Sequence, residues 1–108
     1  MKSYSLLIGA RNKRGRFRRK DEKLLEKITA RHFPAGFTIL DASGAWYDAT
    51  RTTFRKEEAR QVLICTSSQG KLRAWSRELG EALRQKEVLV IEMGTVRRFR
   101  LASRRPAT

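Results

Sequence analysis

Three stretches of this chain are apolar at every position: Leu6-Leu7-Ile8, Val62-Leu63-Ile64-Cys65 and Val88-Leu89-Val90-Ile91. They have the length and β-branched content of strands and are too short for core helices. Successive side chains of a strand point to opposite faces, so a run without a polar position needs cover on both sides. The first strand is Leu6-Leu7-Ile8, led by Tyr4 and closed by Gly9; the third lies within Ala59–Thr66 and the fourth within Glu87–Glu92.

Helical stripes separate these strands. Asp21 offers an N-cap, and Leu24, Leu25 and Ile28 recur at helical spacing, predicting a first helix over Asp21–His32. Leu72, Trp75, Leu79, Ala82 and Leu83 form a second stripe, predicting a helix over Lys71–Gln85. Between the helices, Phe33-Pro34-Ala35-Gly36 is a break and Phe37-Thr38-Ile39-Leu40 a second strand. Asp41-Ala42-Ser43-Gly44 reads as a turn, with Asp41 organising it, and Ala45–Asp48 as a short returning strand before the polar stretch Ala49–Lys56. After Met93-Gly94 the chain extends again through Thr95–Leu101. Residues 1–101 thus form one domain, with 102–108 as a basic tail.

Two strand-helix-strand units in succession, each with a right-handed crossover, interleave into a ferredoxin-like βαββαβ fold of the α+β class. It has a four-stranded antiparallel sheet with both helices on one face. The strands that are apolar on both faces then require a cover for the second face. A further copy of the sheet is the simplest one, so a homo-oligomer, dimer or trimer, is expected.

Charge bounds the partners. The chain carries 25 Lys and Arg against 11 Asp and Glu, a formal net charge of +14, and such a surface draws polyanions: nucleic acid, a nucleotide or an acidic protein. Seven of the ten residues from 11 to 20 are basic (Arg11, Lys13, Arg14, Arg16, Arg18, Arg19 and Lys20), and they are interrupted by Gly15 and by Phe17, an aromatic suited to base stacking. Lys71 and Arg73 stand at the start of the second helix, where unpaired N–H groups already favour an anion. Arg98 and Arg100 share one face of the last strand as a guanidinium pair. Trp46 and Tyr47 follow a turn and are candidates for stacking on a ligand or subunit, whereas Trp75 belongs to the core stripe.

His32 reads as a cation at a helix C-terminus rather than a catalytic base, and Cys65 as an inert core thiol. One cysteine permits no intramolecular disulfide and no thiolate metal cage. There is no apolar run of signal-peptide or membrane-spanning length, and a cytoplasmic protein without membrane contact is expected. No catalytic constellation, Walker loop, dinucleotide fingerprint or metal-ligand spacing occurs, so the expectation is a protein that works by binding, not by catalysis, without metal or cofactor.

The stretch His32-Phe33-Pro34-Ala35-Gly36-Phe37-Thr38-Ile39-Leu40-Asp41-Ala42-Ser43-Gly44-Ala45-Trp46, followed by Val62-Leu63-Ile64, resembles an uncharacterised bacterial domain family with an F-P-x-G-x-T-x-L-D-x-x-G-x-W core. The overall layout also looks like PII-type signalling and CutA-type proteins, a resemblance that implies a trimer with ligand sites between subunits. Arg98-Phe99-Arg100 is similar to the two arginines with which PII-type proteins hold ATP phosphates. Arg84-Gln85-Lys86-Glu87 stands where those proteins have a Gly-rich, acid-containing loop.

Three functions follow as expectations. The first is binding of a nucleic-acid backbone through the basic loop and last strand. The second is a PII-like oligomer that senses or sequesters a nucleotide, cyclic ones included, in clefts between subunits. The third is an interaction protein blocking an acidic or nucleic-acid-binding partner. Charge spread over one continuous face favours the first, whereas arginines converging on a pocket with Trp46 or Tyr47 favour the second.

Overall fold

The structure, a computed structural model, describes residues 1–10, 12, 14–97 and 99. Its elements are β1 (Lys2–Gly9), α1 (Arg19–His32), β2 (Thr38–Asp48), β3 (Thr53–Thr66), α2 (Gln69–Ala82) and β4 (Leu89–Thr95). The strands form one sheet in the order β2-β3-β1-β4, antiparallel at every junction. The two strand-helix-strand units interleave, and the fold is ferredoxin-like α+β.

The apolar runs hold the central strands in place. Leu6 stands opposite Val62 on one side and Val90 on the other, all on the same face. That face packs Tyr4, Leu6, Ile8, Val62 and Ile64 against Leu25 and Ile28 of α1 and Leu72, Trp75 and Leu79 of α2. Trp75 is fully buried and its one polar atom is satisfied, since Nε1 donates to Thr29 Oγ1 at 3.1 Å. Its ring meets that of Phe33 edge-on, with centroids 5.1 Å apart. Arg31 and His32, at the end of α1, pair with Glu78 of α2 and tie the helices together across their solvent side.

Several boundaries differ from the sequence expectation. α1 starts at Arg19 with Arg18 as N-cap, so Asp21 sits inside the first turn, where it pairs with Arg18 at 3.1 Å. There, together with Glu22, it complements the helix dipole. α2 starts at Gln69, because the Ser68 side chain accepts from the Lys71 N–H, and it ends at Ala82, before Gln85. The predicted turn at Asp41–Gly44 is not a turn. β2 runs straight through it, because Arg60 lies opposite on β3 and engages the Asp41 carboxylate at 3.2 Å across the strands. The chain turns later, at residues 49–52, where Asp48 Oδ1 accepts from the Thr50 N–H at 3.0 Å and Thr52 adopts a φ of 49°.

Two consequences position the site. Pairing of β2 with β3 continues from Ser43↔Glu58 to Asp48↔Thr53, beyond the last β1 pair, Gly9↔Ala59, so the hairpin projects from the sheet by about 20 Å. The second sheet face, which carries Leu7, Leu63, Leu40, Leu89 and Ile91 around a Gln61–Ser5 hydrogen bond of 2.9 Å, has no cover from the described residues. Cys65 is on this face and exposed, not in the core: period-two alternation turns it away from its buried neighbours Ile64 and Thr66. The tail 102–108 lies outside the described residues, as do Leu101 and the arginines at 98 and 100 of the expected final extension.

Candidate phosphate-binding cleft

The basic segment after β1 is a built loop. Asn12 organises it: its Oδ1 accepts from the N–H groups of Arg14 and Arg16, and its Nδ2 donates to the Arg16 carbonyl at 2.7 Å. Gly15 docks the loop on the base of the β2–β3 hairpin, its carbonyl accepting from the Glu58 N–H and its φ lying at +64°. A β-carbon at Gly15 would stand 3.0 Å from the Lys56 carbonyl oxygen, so glycine is needed here for both conformation and space.

Beside this loop lies a cleft of about 890 Å³, within the range of small-molecule sites. Trp46 and Arg55 enter it from the hairpin, Asn12 and Gly15 from the loop, and Arg84, Lys86 and Glu87 from the α2–β4 connection. Trp46 and Arg55 are direct cross-strand partners, with the guanidinium carbon 5.7 Å from the ring centroid. Lys56 also borders the cleft, but it is opposite Ala45, which by alternation places its side chain on the other face of the hairpin.

Arg84 occupies an unusual backbone position. α2 closes with Gln85 N–H bonded to the Gly80 carbonyl and Arg84 N–H to the Glu81 carbonyl, the pattern of a Schellman cap. Arg84 is therefore the left-handed residue, with a φ of 56°, at a site where glycine is the unstrained choice.

The other sequence candidates disperse. Arg14, Arg16, Arg18, Arg19 and Lys20 are exposed along the loop and the start of α1. Phe17 packs against the core, its ring 4.6 Å from the buried Arg60 guanidinium, which also holds Glu22 through Nε at 2.8 Å. Lys71 and Arg73 are exposed at the start of α2, away from the cleft. Tyr47 turns to the opposite face of the hairpin and stacks edge-on with Phe54 at 5.4 Å. Arg11, Lys13, Arg98 and Arg100 lie outside the described residues. Sequence reasoning did not single out Asn12, Arg55, Arg84 and Lys86, which carry no motif and meet only through the fold.

Comparison with solved structures returns the same architecture. A phage SAM lyase in complex with S-methyl-5'-thioadenosine is 18% identical, with 82% of this chain and 76% of that one covered, at a TM-score of 0.59. The periplasmic divalent cation tolerance protein CutA from Archaeoglobus fulgidus is 10% identical, with 90% and 87% covered, at 0.57. The GlnK–ATP complex of B. subtilis is 9% identical, with 85% and 83% covered, at 0.51. At such identities the likeness shows the fold alone. It nevertheless corrects one expectation: a lyase has this architecture, so the fold and the missing sequence motifs do not make the chain a non-enzyme. Among the described residues no helix is long and apolar enough to cross a membrane. No curated protein matches the sequence. The family model described as "Protein of unknown function (DUF3574)" matches residues 5–99, nearly the whole of the 108, and the chain belongs to that family.

Proposed function

We propose that this chain binds a nucleotide in the cleft between the β2–β3 hairpin and the α2–β4 connection, with its phosphates on Arg84 and Lys86 and its base on Trp46. One observation carries the reading: Arg55, Arg84, Lys56 and Lys86, against the two carboxylates Glu57 and Glu87, border the same cavity as an exposed indole, Trp46. Guanidinium forks and an ammonium suit phosphate oxygens, and an aromatic face contributes about 1–3 kcal/mol per stacked base. Two proteins of this fold support an adenosine-type ligand, since their structures hold S-methyl-5'-thioadenosine and ATP. The left-handed Arg84 adds weight, because strain kept at a cleft is a mark of function.

A second copy of the chain covers the open sheet face in this proposal. By strand alternation Trp46, Arg55 and Glu57 continue that face, so a neighbouring protomer stands beside the cleft.

The test is titration with ATP, ADP and adenosine, read by calorimetry and by indole fluorescence. Trp75 is buried in the core and does not border the cleft, so a ligand-induced emission change reports Trp46. ATP is expected to bind more tightly than adenosine, and Trp46→Ala to abolish the signal. Arg84→Gly is expected to raise stability by about 1 kcal/mol while weakening ATP. An absence of heat and of emission change with both ATP and ADP sinks the reading.

A further inference from the structure

A second groove, of about 620 Å³, adjoins the cleft, and Asn12 and Arg84 border both. Its long wall is α1, which presents Lys20, Lys23 and Lys27, and the end of α2 faces them through Leu83. The lysines are spaced by three and then four residues, which puts them on one face of the helix. They span about 10 Å of helix axis, the rise of about three nucleotides of one strand. All three are exposed, and none is in an ion pair among the described residues.

The two acids of the first turn of α1 are already engaged, and Glu26, the other acid beside these lysines, does not border the groove. Asp21, the one carboxylate bordering the groove, pairs with Arg18, and Glu22 pairs with the buried Arg60. Arg18, Arg19 and Lys20 crowd the N-terminus of α1, where the helix dipole disfavours cations, so their placement works against helix stability. An anion lying along this wall reverses that penalty.

From this continuity we infer that the ligand is a single-stranded nucleic acid, whose terminal nucleotide occupies the cleft and whose following phosphates run along Lys20, Lys23 and Lys27. The inference rests on the nucleotide reading of the cleft and specifies it: a mononucleotide fills only the first part of one continuous site. Arg84 joins the two parts. Leu83 and Leu24 give the sugars an apolar floor.

A ladder of 5'-phosphorylated deoxyadenylates, from dAMP through two, four and six nucleotides, tests it on the full chain. Affinity is expected to rise at least about tenfold from one to four nucleotides and to level off there, because the lysine wall ends. Over the same interval the slope of log affinity against log salt should grow by about two. Lys20→Gln, Lys23→Gln and Lys27→Gln combined should leave dAMP affinity unchanged and erase the gain with length. Unaltered circular dichroism establishes that this variant is folded. A flat ladder with dAMP still bound overturns the inference and leaves the cleft reading standing, as does a ladder that the triple variant does not change. Binding of the six-mer that is indifferent to Trp46→Ala, with no dAMP binding, overturns both.

Discussion

The two faces of the sheet are built from the same short runs of sequence, yet they have opposite fates. On the helix side Leu6, Val62 and Ile64 are at most 2% exposed, whereas on the open side Leu89 and Ile91 remain 58% and 43% exposed. Among the described residues there are two helices, and one sheet face takes both. A run that is apolar at every position therefore supplies two apolar faces, and folding of the chain covers only one of them. At about 25 cal/mol per Å², the open face retains a driving force that a second copy can use.

The largest effect is expected on the covered side. Trp75→Ala removes a fully buried indole, its edge contact with Phe33 and its bond to Thr29, and should cost about 3–5 kcal/mol in denaturant unfolding. A loss below about 1 kcal/mol would show that the core lies elsewhere.

Next comes the open side. Leu89→Glu with Ile91→Glu should leave helical circular dichroism intact while converting an oligomer to a monomer in sedimentation. If wild type itself sediments as a monomer at micromolar concentration, the contrast between folding face and assembly face collapses. Cys65 sharpens the same contrast at smaller scale. Cys65→Ser should change stability by less than about 0.5 kcal/mol. Its thiol should react faster with an aromatic disulfide in the double-Glu variant than in wild type.

The smallest effect concerns the outer tie between the helices. The His32 hydrogen bond, assisted by Arg31, holds the Glu78 carboxyl below the usual carboxylate range. A lowered carboxyl stabilises the fold above its unfolded value, and the contribution disappears as pH falls through the lowered one. Wild type and Glu78→Gln should accordingly differ near neutral pH and converge in acid. A gap that stays constant down to pH of about 3 contradicts this account.

Much of the fold was legible because its signals are local. Two helical stripes and three apolar runs specify five of the six elements, and Trp75 announced itself by its place on a stripe. Asp41–Gly44 misled for a related reason: turn-forming residues read as a turn when the cross-strand partner Arg60, distant in sequence, is not yet in view. Cys65 misled because a run apolar on both faces does not say which face will be covered.

The cleft was the least legible part. Net charge, the apolar runs and the order of elements were determined by the sequence alone, since each follows from composition or from a period of two or 3.6 residues. Only the tertiary structure decided which basic residues act together. Trp46 meets Arg55 because the hairpin register sets them opposite each other, and both border one cleft with Arg84 and Lys86 because the sheet order β2-β3-β1-β4 brings the hairpin and the α2–β4 connection to one end. Register and strand order come from long-range pairing, whose partners no local pattern of side chains encodes.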